Sequence, residues 1–356
     1  MRPLGWISGL KAGGLKAAGL LALLVLWGLC SLAQVPASLA QGLDQGLDGG
    51  QGEAAAESAE EGASPGTSAP AAPPAQSVQP DGTMNPAWTG LLERLALEGE
   101  NRTALIPLFA NSSLVPDASI MGRKLRALYK SRFLPKPEPK APTGKPLTIY
   151  DTWLTPEWAE KIAAFKKANA LVLEEAARRY GTSPSLLTAI FLVETHLGTF
   201  LGQRPVLAAL ANLAASTDPG AMLPFVAEYQ PTPEQLDWLA GRQAEKSAWA
   251  LRQIRFFLEY CRLNGFAPLS LPGSLYGAFG LCQFTPLNAL RLGVDGDGDG
   301  RVDLFGVADA AHSMGRFLKS RGWREDLSYQ AKLKIIRQYN NDLLYAQTVL
   351  AVAKRI

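Results

Sequence analysis

Ser183-Pro184-Ser185-Leu186-Leu187-Thr188-Ala189-Ile190-Phe191-Leu192-Val193-Glu194-Thr195-His196-Leu197-Gly198 is the stretch on which the reading of this chain turns. A serine followed by proline is an N-cap with proline in the first turn, and Gly198 supplies a stop, so the spacing predicts a helix between them. Leu187, Ile190, Phe191 and Leu197 fall along one side of it. Glu194 lies four residues after Ile190 and three before Leu197, so it points with them rather than towards solvent. An ionised carboxylate taken out of water is costly unless it is paired or becomes protonated. A desolvated glutamate therefore tends to have a raised pKa, as a general acid working near neutral pH requires. Helical spacing alone leaves the bland alternative open: a helix-end glutamate that pairs with Arg204 or simply reaches water.

Outward from this helix the chain is helix after helix, with few convincing strands. Trp158, Ile162, Phe165, Ala168, Val172 and Ala176 make a helical stripe between Trp158 and Tyr180. Trp249 to Leu263 and Ala308 to Arg321 repeat the style, and Leu333 to Ile356 holds one or two more helices. No internal repeat is visible. Ser216 to Ala248 carries Asp218-Pro219-Gly220 and Gln230-Pro231-Thr232-Pro233, and reads as a lid or a surface excursion. Upstream, Trp88, Leu91, Leu92, Leu95 and Leu97 open a helical pattern, and Met121 to Phe133 is a basic amphipathic stretch. A proline-rich connector, 134–146, separates these from the main body.

The first residues differ in kind. Arg2, Lys11 and Lys16 precede an apolar run from Ala17 to Leu29, followed by Ser31-Leu32-Ala33 and Ser38-Leu39-Ala40, which reads as an export signal or else as an uncleaved anchor. From Gln41 to about Met84 the chain is Gly, Ala, Ser, Pro, Gln and acidic residues, too poor in apolar groups to offset the entropy of ordering. The expected organisation is therefore a signal peptide at 1–40, a disordered tether at 41–84, a small helical subdomain and connector at 85–148, and the main domain at 149–356.

Composition narrows the function. A net charge of +3 suits an anionic polymer such as a cell wall and is far too weak to imply nucleic acid. With two histidines and three cysteines, a catalytic triad or zinc site would use nearly all of either type. In an oxidising compartment Cys261 and Cys282 either pair or remain two isolated buried thiols.

Asp295-Gly296-Asp297-Gly298-Asp299-Gly300-Arg301-Val302-Asp303 places oxygen donors at alternate positions with glycine at the sixth. That is the spacing of an EF-hand-like loop wrapping a hard cation, with the Arg301 carbonyl as a further ligand. The twelfth position, where a standard loop has glutamate, is Gly306. Clustered carboxylates would repel one another without a cation.

Read together, four segments carry a resemblance. Arg179-Tyr180-Gly181 with the helix ending Val193-Glu194-Thr195-His196-Leu197-Gly198 looks like the catalytic-helix segment of the lytic transglycosylases of the membrane-bound transglycosylase B family. Ser274 to Pro286 is similar to that family's Ser-x-x-Gly-Ala-Met-Gly-x-x-Gln-Phe-Met-Pro stretch. The acidic loop and Tyr339-Asn340-Asn341 with Tyr345-Ala346 follow in the family's order. The resemblance covers roughly 149–356, with weaker similarity over 86–133. It implies a mainly α, lysozyme-like domain that cleaves the N-acetylmuramic acid to N-acetylglucosamine bond of peptidoglycan without adding water, leaving 1,6-anhydromuramoyl ends. Glu194 would be the single acid and then base. Ser274 matches a serine beside that carboxylate, Gln283 a groove-lining glutamine, and Tyr339 and Asn340 a pair near the reacting ring. Asp309 matches an aspartate that completes a structural calcium site with Asp295, Asp297, Asp299 and Arg301. A periplasmic location, glycan strands as partners, and association with a membrane or cell-wall complex are implied too.

The chain departs from the pattern at Leu197, Leu275, Phe279, Thr285 and Asp342, and the 216–248 stretch looks inserted. These departures put groove shape and substrate preference in question. They leave open a non-catalytic peptidoglycan-binding or scaffold protein of the same fold, and a hydrolytic muramidase.

Overall fold

The computed structural model describes residues 84–135, 153 and 155–356. The expected export segment, the tether up to residue 83 and most of the proline-rich connector lie outside them. In chain order the helices are α1 (Thr89–Leu97), α2 (Arg102–Phe109), α3 (Ser119–Phe133), α4 (Pro156–Ala168), α5 (Ala170–Tyr180), α6 (Pro184–Thr195), α7 (Val206–Ala215), α8 (Pro233–Asn264), α9 (Pro286–Leu292), α10 (Val307–Ser320), α11 (Tyr329–Tyr339) and α12 (Leu343–Arg355). The sheet among the described residues is one short antiparallel pair, β1 (Arg204–Pro205) with β2 (Pro272–Gly273), Arg204 facing Gly273. The mainly helical architecture expected from the pattern is what forms. None of the described helices is long and apolar enough to cross a membrane.

Helix α6 is central. Its start is as the sequence dictates: Ser183 Oγ accepts the Leu186 amide at 3.2 Å, with Pro184 in the first turn. Its end is earlier than Gly198. The helix stops at Thr195 because His196 takes the left-handed conformation, φ 53°, that caps a helix C-terminus. Every residue from Leu186 to Thr195 is buried, so α6 has no solvent face, as expected of a helix apolar nearly all round. It packs against α12, α5 and α4.

Two expected helices change shape. Trp158–Tyr180 is divided at Asn169, whose φ of −115° breaks the helix while its Nδ2 donates to the Phe165 carbonyl at 2.8 Å. Trp249–Leu263 is only the second half of α8. That helix begins with a Thr232–Gln235 capping box and Pro233, and ends at Gly265, φ 67°. At 32 residues α8 is roughly 48 Å long at 1.5 Å per residue, and α7 lies along it.

The 216–248 stretch supplies the start of α8 and two 3-10 turns, Gly220–Phe225 and Ala227–Tyr229, docked on α3. Tyr229 stacks on Tyr129 at 5.3 Å between ring centres, and Arg126 donates to both the Tyr229 hydroxyl (3.1 Å) and Glu228 (2.6 Å). Gly122 leaves room for the Phe225 ring, which would lie 2.3 Å from any Cβ there. The stretch is a surface excursion held by α3. The N-terminal helices also reach the rest of the core: Arg94 donates to Ser247 Oγ and the Ala214 carbonyl, and Asn212 Oδ1 accepts the Asp117 amide.

Candidate active site

Glu194 sits one residue before the end of α6 and is 7% exposed. Burial pushes its pKa up from the ordinary value near 4.5 to about 8, and the nearby Tyr345 hydroxyl opposes the shift. That hydroxyl does not reach hydrogen-bond geometry: Glu194 Oε1 and Tyr345 OH both lack a partner. Arg204, the alternative sequence partner, pairs instead with Asp117 at 3.0 Å. Glu194 is thus a desolvated carboxyl that holds its proton at neutral pH, with no cation beside it to keep it ionised.

The α11–α12 junction closes over this carboxyl. Tyr339 ends α11 and donates its hydroxyl to the Cys282 carbonyl, and its ring centre is 6.3 Å from that of Tyr345. Burial, then the negative charge of Glu194, drives the pKa of both tyrosines well above the usual phenol range, so both stay protonated. Asn340 is fully buried. Its Oδ1 accepts the Asp342 amide at 3.2 Å and its Nδ2 has no partner. Asp342, one of the departures, accepts the Tyr345 amide at 2.9 Å as the N-cap of α12, so the acid does the capping a serine would do. Three buried polar atoms, Glu194 Oε1 on α6, Asn340 Nδ2 at the α11–α12 junction and Tyr345 OH on α12, are therefore left unsatisfied. Buried polar groups are nearly always paired, and unpaired ones point to chemistry or a ligand.

The 274–286 loop supplies the third side. Isolated bridges join Gly273 to Phe279 and Phe279 to Phe284. Ser274 Oγ accepts the Ala278 amide at 3.0 Å and the Tyr276 amide at 3.3 Å; it shapes its own turn and makes no hydrogen bond to Glu194. Gln283 is held in a left-handed conformation, φ 42°, with Nε2 donating to the Gly280 carbonyl at 2.9 Å. The loop is tied to α6 through Thr195 Oγ1, which donates to the Leu281 carbonyl at 3.3 Å. Phe279 is fully buried against Phe257 and Tyr260, so this departure changes the core. Cys282 and Cys261 are both free and buried. Burial, with the Glu194 charge as a lesser cause, raises the Cys282 thiol above its usual range, so it is inert as a nucleophile.

Tyr345 is the group that site selection from sequence missed. Its place in the C-terminal motif was the available signal; its contact with Glu194 needs α12 folded back along α6.

The acidic loop is a separate feature. Carboxylate oxygens of Asp295, Asp297 and Asp309 lie within 4.8 Å of one another. Asp309, in the first turn of α10, is 3% exposed, and burial raises its pKa, the Asp297 and Asp295 charges adding to the effect. Asp299 stands outside this group and accepts the Arg301 amide at 2.8 Å. The Arg301 side chain turns away to the Asn264 carbonyl (2.6 Å) and the Phe266 ring, leaving its carbonyl as the only part able to serve a cation. Three clustered carboxylates, one of them buried, suit a hard divalent ion.

The sequence profile of the transglycosylase SLT domain matches residues 125–335. Membrane-bound lytic murein transglycosylase B of Escherichia coli strain K12 is 28% identical over 185 residues, 52% of this chain and 44% of that protein, so the chain spans less than half that relative's length. Among solved structures, Escherichia coli lytic transglycosylase Slt35 in complex with calcium superposes with a TM-score of 0.55, at 19% identity over 76% of this chain and 92% of that one. SltB3 of Pseudomonas aeruginosa in complex with NAG-anhNAM-pentapeptide gives 0.54, at 19% identity over 75% of this chain and 77% of that one. The structural likeness establishes a lysozyme-like fold, and the profile match, covering more than half of the residues, shows that the chain belongs to the transglycosylase SLT domain family.

Proposed function

We propose that this protein is a peptidoglycan lytic transglycosylase with Glu194 as its single acid/base. The observation that carries the reading is the buried Glu194 carboxyl, its Oε1 without a hydrogen-bond partner and its pKa raised to about 8, in a chain of this family. The protonated carboxyl gives its proton to the oxygen between N-acetylmuramic acid and N-acetylglucosamine as that bond breaks. The resulting carboxylate takes the proton of the muramoyl C6 hydroxyl as its oxygen closes on C1, giving the 1,6-anhydro ring. Two-carboxylate glycosidases need a second acid as nucleophile or base; here the substrate's own hydroxyl serves. Asn340 Nδ2 and Tyr345 OH are available to hold the acetamido group and the developing charge, Gln283 lines the groove, and Tyr339 fixes the loop through the Cys282 carbonyl. The named relative, a lytic murein transglycosylase, and SltB3 with its NAG-anhNAM-pentapeptide support this substrate class. Digestion of purified peptidoglycan by the full chain tests it: anhydromuropeptides are expected, reducing-end products would mean a muramidase, and no products with sacculus binding intact would mean a scaffold. On this reading the protein works in the periplasm.

The acid role fixes a pH dependence. Because Glu194 must enter the reaction protonated, kcat/KM, the rate at limiting substrate, falls as pH rises through about 8. A rate that climbed from pH 7 to 9 would show that Glu194 is not the acid.

Asp295, Asp297 and Asp309 with the Arg301 carbonyl would hold calcium, whose charge offsets the repulsion among the carboxylates and fixes the loop to α10. Removing calcium with a chelator is expected to lower the melting temperature and added calcium to restore it, an effect lost in Asp309→Asn. A chelator-insensitive melting curve would remove calcium from the account.

A further inference from the structure

Four aromatic rings gather immediately beyond Glu194, and the chemistry assigned above uses none of them. His196 takes a φ of 53° and Leu197 repeats the left-handed conformation at 60°. Two successive non-glycine residues there store strain, which persists at sites where the surrounding structure or a ligand exploits it. The His196 ring lies 4.7 Å from that of Trp153, 5.8 Å from Trp158 and 6.0 Å from Phe200. Trp153 and Trp158 meet edge to face at 5.0 Å. All four residues are partly buried and keep some surface in water, whereas core residues such as Phe191 and Phe284 are sealed from it.

This cluster adjoins the groove. The turn that carries His196 meets Leu281 twice, through the Thr195 hydroxyl on its carbonyl and through Gly198, where a Cβ would lie 3.0 Å from the Leu281 side chain. Leu281 is two residues before Gln283. The rings and the Gln283 turn therefore flank the same end of α6.

The chemistry of the patch selects a ligand. Aromatic faces are electron-rich and attract the positive edges of C–H bonds. A pyranose offers such a C–H face together with a rim of hydroxyls that stay in water. Beside the rings, Lys161 lies 4.6 Å over one face of Trp158 and pairs with Glu157 at 2.7 Å. The lysine charge is thereby balanced, which suits a neutral sugar better than an anion.

We infer that Trp153, Trp158, His196 and Phe200 form a stacking platform for an N-acetylated hexose of the glycan, a binding subsite separate from the Glu194 carboxyl. The ligand class rests on the proposed glycan-cleaving function. The test uses full-length Glu194→Gln, which cannot turn over substrate, titrated calorimetrically with a tetramer of β-1,4-linked N-acetylglucosamine. In that background His196→Gly removes a ring and places at φ 53° the residue that takes this conformation without strain, so its melting temperature is expected at or above the parent's. Trp158→Ala is the second variant. Each should weaken binding about tenfold. A Kd within about twofold of the parent in both variants, or no binding by the parent, would overturn the platform. If wild type releases no products from peptidoglycan while ring-dependent binding persists, the enzyme reading falls and the platform stands.

Discussion

Glu194→Gln is expected to lower anhydromuropeptide release by about 10³-fold or more while leaving the fold intact. Glutamine keeps the shape of the side chain and fits the same buried space, but has no proton of useful acidity to give. General acid–base catalysis contributes about 10²- to 10⁴-fold for each proton transfer, and here one group performs both transfers, so the loss lies at or above the upper part of that range. The same substitution should stabilise the protein. An unfolded chain ionises this carboxyl near 4.5, the folded one only near 8. Between these values the native state holds the extra proton, so stability falls as pH rises, and the penalty is complete above about 8. A neutral glutamine carries no such penalty. The melting temperature of Glu194→Gln should therefore match wild type near pH 4 and exceed it increasingly up to pH 8. Retained activity would remove Glu194 from the chemistry; loss of activity with a lowered melting temperature at pH 8 would mean that the substitution had damaged the packing instead.

Gly202→Ala is the second change with a large expected effect. Gly202 has a φ of 101°, and a Cβ there would lie 1.9 Å from the Gly273 carbonyl oxygen and 2.7 Å from its Cα. Those are backbone atoms of β2, opposite β1, and they cannot turn aside as a side chain can. The strands must separate, and with them Ser274 and the loop leading to Gln283. The expected cost is about 3 kcal/mol, seen as a melting temperature lower by roughly 6–12 °C. Gly322→Ala is the control. Its φ is 82° but no atom lies within 4 Å of the added Cβ, so only the conformational cost, about 1 kcal/mol, is expected. Equal losses in the two variants would show that close approach of β2 contributes nothing.

The sequence by itself determined the helical class and the start of α6, and it offered candidates for an acid and for a cation-binding loop. These are local properties: Ser183 and Pro184 make a cap wherever they occur before an apolar run, and alternating Asp and Gly from Asp295 make a tight loop. It also singled out Glu194, though by an argument the structure changes. One-sided spacing put Glu194 with Leu187 and Ile190, whereas α6 is enclosed on every side and any residue near its end would be buried. What made Glu194 distinctive was decided by tertiary structure: α12 returning along α6 to bring Tyr345 to it, and Arg204 being taken by Asp117. Tertiary structure also decided that Ser274 serves its own turn, that the 216–248 stretch docks on α3, and that α6 ends at His196 instead of Gly198. The reason is common to these. A side chain with several partners within reach is assigned by which elements the fold brings closest, and periodicity along one helix carries no information about the approach of another.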